Sequence, residues 1–186
     1  MARYKVGYFV GSLSSTSINR ELSQVLINLA PEDLKFTEIP IGNLPLYSQD
    51  HDANYPPEAT ALKDAIRRSD AILFVTPEYN RSIPGALKNA IDWASRPYGD
   101  SAWKGKPVAV MGASVGALGT ARAQYDLRKC FVFLDMPAVN QPEVMISAAA
   151  DKFDKDGNLA DAKAKELIGK LLASLCELAG RTGGSR

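Results

Sequence analysis

Short apolar runs alternate along this chain with stretches in which apolar residues recur at three- to four-residue spacing. Lys5–Val10 is the first run and predicts a strand. Ile18, Leu22, Val25, Leu26 and Leu29 then follow helical spacing, and Pro31 marks the helix end. Leu34–Ile39 alternates as a second strand. A long loop, Pro40–Pro57, holds prolines at 40, 45, 56 and 57 and the stretch Leu44-Pro45-Leu46-Tyr47. Glu58–Arg68 reads as a helix with a proline near its start. Ala71–Val75 is continuously apolar, the pattern of a strand covered on both faces. After Pro84 a helix runs through Ala86, Leu87, Ala90, Ile91 and Ala94. Pro107–Met111 is a fourth strand, followed by a helix from about Gly119 to Phe133. Ala138–Met145 holds a fifth strand interrupted by Pro142. The last helix carries Leu167, Ile168, Leu171, Leu172 and Leu175, and the tail Gly180–Arg186 is expected to fray.

Five strands alternating with five helices imply an α/β fold, a doubly wound parallel sheet with helices on both faces. The 186 residues suit one core, so 1–186 reads as a single domain. In such sheets a ligand sits beyond the carboxyl ends of the strands. Three loops leave those ends with unusual chemistry: 11–19, 76–84 and 112–119. Topology predicts that they converge into one composite site.

The first loop is rich in hydroxyls, five of the six residues from Ser12 to Ser17, and Asn19 adds an amide. Hydroxyls and free N–H groups at a helix N-terminus suit a phosphate. One capping residue would serve the helix alone. The loop has no Lys, so it is not a P-loop, and Gly11 alone does not make a dinucleotide fingerprint. Neutral donors suit a monoester better than a triphosphate. In the second loop, Thr76-Pro77-Glu78-Tyr79-Asn80-Arg81-Ser82-Ile83-Pro84, two prolines stiffen a segment whose backbone groups suit the edge of a planar heterocycle. The third, Gly112-Ala113-Ser114-Val115-Gly116, matches the G-x-S-x-G elbow of hydrolases. The sole histidine, His51, precedes Ser114, against the order that triad requires. Glycines here equally suit close approach to a flat ligand. With no nucleophile–base pair in view, a bound cofactor is left to carry the chemistry. A phosphate loop, a ring-edge loop and a glycine loop together describe a flavin mononucleotide site.

Bulk properties narrow the class further. Net charge is +1 with scattered basic residues, so there is no nucleic-acid footprint. No apolar run approaches the roughly 20 residues of a membrane span. The N-terminus lacks a signal-peptide core. Cys130 and Cys176 read as free thiols of a reducing compartment, which predicts a cytoplasmic protein. One histidine and no C-x-x-C argue against zinc. Asp154-Lys155-Asp156-Gly157-Asn158 reads as a turn, because Lys152 and Lys163 stand where a calcium loop needs acids. No metal is expected.

On Gly11-Ser12-Leu13 through Ser17-Ile18-Asn19-Arg20, on the whole run from Pro77 to Trp93, on Ser114 in its glycine-rich loop and on Phe133-Leu134-Asp135, the chain resembles the NAD(P)H-dependent FMN reductases of flavodoxin-like fold. That family includes bacterial quinone, azo-dye and chromate reductases. The resemblance covers nearly the full chain, and the long middle motif is its specific part. It implies that Ser12, Leu13, Ser14, Ser17, Ile18 and Asn19 hold the FMN phosphate, that Pro77, Glu78, Tyr79 and Asn80 contact the isoalloxazine, and that Ser114, Val115 and Gly116 meet its other side. It also implies NADPH or NADH as co-substrate, ping-pong hydride transfer through flavin N5 to an electron-poor acceptor, and no catalytic side chain. Many relatives carry arginine where this chain has Ser14, and Arg20, a turn into the helix, is a weak substitute. The family further implies a homodimer or homotetramer, with Arg122, Tyr125 and Glu143 as candidate contacts.

Two rival classes stay open at this point. A flavodoxin-like electron carrier would bind the same cofactor, although such carriers are typically strongly acidic. A serine esterase would use Ser114.

Overall fold

The computed structural model describes residues 3–182. Its elements in chain order are β1 (Tyr4–Val10), α1 (Ile18–Asn28), β2 (Leu34–Glu38), α2 (Pro57–Arg67), β3 (Ala71–Val75), α3 (Gly85–Ala94), β4 (Val108–Ala113), α4 (Ala121–Phe133), β5 (Val144–Ile146) and α5 (Ala162–Thr182). All strand pairs are parallel, in the order β2-β1-β3-β4-β5. This is the flavodoxin-like winding, with its switch point between β1 and β3.

Strand alternation sorts the core into two layers. Val6, Tyr8, Val10, Leu73 and Val75 face α1 and α5, where Leu22, Leu26, Ile168, Leu171, Leu172 and Leu175 cover them. Phe9, Ile72, Phe74 and Val110 face α2, α3 and α4 through Leu62, Ile66, Leu87, Ile91, Leu127 and Phe131. Phe74 stacks on Phe9 at 5.1 Å and on Phe131 at 5.5 Å, so a ladder of rings crosses the second layer. Every residue of β3 is buried, as its unbroken apolar run requires.

The long loop after β2 is anchored to α3. Trp93 Nε1 and Asn89 Nδ2 both donate to the Pro45 carbonyl, at 2.7 and 2.9 Å, and Tyr47 N–H donates to Asn89 Oδ1. His51 lies against the Trp93 ring, centroids 5.8 Å apart, which places it on α3 and away from Ser114 chemistry. Asp154 accepts from the Asp156 and Asn158 N–H groups, so its segment is a turn.

Three sequence expectations need correction. The fifth strand does not span 138–145: Ala138 makes one isolated bridge to Val108, and β5 begins only at Val144. Pro142 has no N–H for the ladder, and Arg128 Nη1 takes the Val139 carbonyl instead. The fourth helix starts at Ala121 because Gly119 and Thr120 sit at φ +53° and +72°, outside the helical region. The last helix continues to Thr182 rather than fraying from Gly180, with Ala179 buried beneath it. Residues 183–186 of the expected tail lie outside the described residues. No described helix is long and apolar enough to cross a membrane.

Two glycines give opposite expectations. A Cβ at Gly112 would lie 2.2 Å from the Thr76 carbonyl oxygen and 2.4 Å from Thr120 Oγ1. Gly112→Ala is therefore destabilising by about 1–3 kcal/mol through overpacking. Gly169, inside α5, has open space at its Cβ, and Gly169→Ala raises stability by about 0.5–1 kcal/mol. Thermal denaturation midpoints that fail to move in opposite directions would contradict this packing.

Candidate functional site

Gly11 leaves β1 pressed against β3. Its N–H donates to the Val75 carbonyl at 2.8 Å, and a Cβ there would meet Thr76 Oγ1 at 2.6 Å. The hydroxyl loop then folds on itself: Ser14 N–H donates to Ser12 Oγ, and Thr16 N–H to Ser14 Oγ, both at 3.3 Å. Ser12 and Ser17 are buried, whereas Leu13, Ser14, Ser15 and Thr16 are exposed. Ser17 occupies the N-cap of α1, but no side chain caps that helix. The Arg20 and Glu21 N–H groups donate to the Ser17 carbonyl, at 2.9 and 3.2 Å, which leaves the Ile18 and Asn19 N–H groups at the helix start facing the loop. The Ile18 side chain packs on the core. Asn19 is buried, and both ends of its amide bond the Ala113 backbone. Arg20 does not turn to the loop: Nη1 is held by both Glu38 oxygens at 3.0 and 3.2 Å, with Tyr8 donating to the same carboxylate. Its role as a substitute for an arginine at position 14 is withdrawn on that geometry.

The second loop is a tight two-residue turn. Tyr79 and Ser82 exchange both backbone hydrogen bonds, at 3.1 and 3.0 Å. Asn80 and Arg81 between them sit at φ +50° and +68°. That is a type I′ geometry, comfortable for Asn and strained for Arg. Ser82 Oγ donates to Asp126 on α4 at 2.7 Å, and the Tyr79 hydroxyl lies 3.3 Å from Ser12 Oγ. The Glu78 carboxylate turns to the start of α4. It accepts from the Arg122 and Ala123 N–H groups at 3.0 and 3.3 Å and from Arg122 Nε at 2.6 Å. Burial pushes this carboxyl up, but the hydrogen bonds from Arg122 and Ala123 outweigh it and hold it below its ordinary value. Any contact Glu78 makes across the site thus falls to its backbone.

The glycine loop is braced from behind. Ser114 N–H donates to Ile146 at 2.9 Å, and Ala149 N–H returns to the Ser114 carbonyl at 3.0 Å. Ala148 N–H donates to the Gly116 carbonyl, and Gly116 N–H to Ser114 Oγ. Val115 and Gly116 remain exposed.

All three loops thus meet at one sheet edge, as the topology predicts, and each is tied to another by a side chain. They present neutral donors beside a positive helix end, which fits a phosphomonoester. They also expose Leu13, Tyr79, Val115 and Leu118, which fits a flat apolar ring. No group of three or more potential metal-ligating side chains occurs among the described residues. The donors and exposed apolar side chains of the three loops together are of the kind that FMN needs. Sequence reasoning missed the capping role of Glu78, because nothing in its neighbourhood marks a helix that begins some forty residues later. It also missed Ala148, an alanine at φ +45° with no sequence signature.

Comparison with known proteins agrees. Residues 4–151 match the family described as NADPH-dependent FMN reductase. A quinone reductase of Pseudomonas putida is 53% identical over 159 residues, covering 85% of this chain and 86% of that one. A 2-hydroxy-1,4-benzoquinone reductase of a Burkholderia species is 49% identical over 164 residues, covering 88% and 90%. The structure is similar to FerB, a flavoenzyme NAD(P)H:(acceptor) oxidoreductase from Paracoccus denitrificans, at TM-score 0.89 and 41% identity, covering 96% of this chain and 98% of FerB.

The Glu78 cap has a pH signature. A carboxyl held low in the folded state stabilises above its ordinary pKa, and that stability is lost as pH falls through the folded value. Glu78→Gln lowers stability at pH 7 by about 1 kcal/mol. The difference from wild type in urea midpoint shrinks as the pH drops below about 4. A gap unchanged by acidification would remove the charge from this explanation.

Proposed function

From the premise that this chain belongs to the NADPH-dependent FMN reductase family, and is an FMN oxidoreductase dependent on NAD(P)H, we propose that its acceptors are small quinones and comparably electron-poor molecules. One observation carries the reading: a neutral-donor loop at an uncapped helix start and a rim of exposed apolar side chains share one sheet edge, with no nucleophile–base pair beside them. FMN, when bound, would supply the redox chemistry between NAD(P)H and the acceptor.

The chain's own residues bind and orient. The hydroxyls of Ser12, Ser14 and Ser17, with the backbone at Leu13, Ile18 and Asn19, hold the phosphate. Pro77, Glu78, Tyr79 and Asn80 border the isoalloxazine on one side, and Ser114, Val115 and Gly116 on the other. The stiff turn at 79–82 would hold the ring edge, and the hydrogen bond between Tyr79 and Ser12 ties the second loop to the first. Leu13, Val115 and Leu118 offer the acceptor an apolar approach. No side chain serves as nucleophile.

The protein acts as a homodimer or homotetramer in the cytoplasm on this reading. Tyr125 is exposed on α4, and its hydroxyl is pushed up by a hydrogen bond to Glu143, so these two form one polar patch for a second subunit. Arg122 is engaged by Glu78 of its own chain and contributes to that patch only through its exposed part. Cys130 and Cys176 are free, as a reducing compartment favours, and burial pushes the Cys130 thiol up and away from reactivity.

Steady-state rates with NADPH or NADH against a benzoquinone should give parallel double-reciprocal lines with yellow, FMN-loaded protein. Absence of NAD(P)H oxidation with any quinone rejects the acceptor class. Ser14→Arg, which places a guanidinium in the exposed part of the phosphate loop, should tighten FMN binding by about tenfold. Unchanged or weaker binding by fluorescence titration would move the phosphate elsewhere.

A further inference from the structure

The sequence offers Asn19 as a donor to phosphate, yet its side chain is committed elsewhere. The residue is 1% exposed. Its Nδ2 donates to the Ala113 carbonyl at 3.0 Å, and its Oδ1 accepts from the Ala113 N–H at 2.9 Å. Among the described residues no other hydrogen bond joins loop 11–19 to loop 112–119.

The reason lies in the sheet. β3 and β4 run in register as far as Val75 and Met111, and the last rung on that edge is Thr76 N–H to the Met111 carbonyl, at 3.0 Å. By strand alternation Ala113 presents its own N–H and C=O to the same edge, one rung further. There β3 has already turned away, and the Thr76 C=O and Glu78 N–H that this register would set opposite Ala113 do not bond it. A primary amide carries one peptide's worth of donor and acceptor, so Asn19 completes the rung that β3 leaves unmade.

We infer that Asn19 is, through its side chain, a positioning residue, and that its amide group is not a phosphate ligand: a peptide-mimicking strut that fixes the distance between the phosphate loop and the glycine loop. This rests on reading those loops as the two ends of one flavin site. Removing the strut leaves the Ala113 groups unpaired and lets the two ends drift apart. Every ligand that touches the glycine loop is then affected, whether or not it bears a phosphate.

Riboflavin, which lacks the phosphate, separates the two roles. Dissociation constants for FMN and riboflavin are measured by flavin fluorescence on full-length apoprotein for wild type, Asn19→Ala and Ser14→Ala. A strut predicts that Asn19→Ala weakens both ligands by a common factor of about tenfold or more. The FMN-to-riboflavin ratio then stays at its wild-type value, whereas Ser14→Ala weakens FMN alone. A loss in Asn19→Ala confined to FMN overturns the inference. Should that variant not fold, hydrogen exchange in the wild-type apoprotein decides: the Ala113 amide exchanges slowly if Asn19 holds it, and free exchange overturns the strut. Wild type that binds neither flavin overturns the site itself, and the inference with it.

Discussion

A parallel sheet in which β4 runs on past the end of its central neighbour β3 governs the upper edge of this molecule. β3 stops at Val75, level with Val10 of β1 and Met111 of β4, while β4 continues to Ala113. Backbone groups beyond that point have lost their neighbour, and unpaired groups in a buried position are costly, on the order of 1–3 kcal/mol each. The chain meets this with local substitutes. Asn19 bonds Ala113, Thr76 folds its hydroxyl onto the Pro77 carbonyl, and Ser114 is picked up by Ile146 and Ala149 on the far side. Three loops border the sheet edge above β3, at the switch point where a doubly wound fold can take a ligand without disturbing its core.

Two of the cations near that edge are withdrawn. Arg20 and Arg122, which follow the first and third loops, are each paired with a carboxylate of the same chain, Glu38 and Glu78, whereas Arg81, inside the second loop, is exposed. Lys88, early in α3, is likewise paired with Asp92. An anion at the first loop therefore relies on hydroxyls, N–H groups and the end of α1. Such a set favours a phosphate but gives less attraction than a bidentate guanidinium.

Much of this was legible in the sequence, because it follows from periodicity and from unusual local composition. The unbroken run at 71–75 marked the central strand, and hydroxyls crowded at 12–17 marked the first loop. The prolines at 77 and 84 bracketed the second. What stayed hidden depends on long-range pairing. Asn19 has a donor and an acceptor in any context, and only the register of β3 against β4 decides that Ala113 takes both. Glu78 carries a charge that solvent or a ligand would accept equally well, and only the approach of α4 assigns it to the Arg122 and Ala123 N–H groups. The broken fifth strand was half visible, since Pro142 stood in it. The competing bond from Arg128 to Val139, which draws the chain off the sheet, had no local sign.

Ser114 shows how little a short motif decides on its own. G-x-S-x-G after a buried strand is the pattern of a nucleophile elbow, and here the strand, the turn and the following helix are all present. Yet Ser114 Oγ accepts from Gly116 N–H, two residues along, and the only imidazole of the chain rests against Trp93 on α3. A serine in that position has no base to remove its proton. The first glycine of the motif, Gly112, instead keeps a Cβ away from Thr76, and Gly119, beyond the motif, keeps one away from Met145. The difference from a hydrolase elbow lies in what packs behind these five residues: β5 and the 148–149 segment in place of a histidine loop.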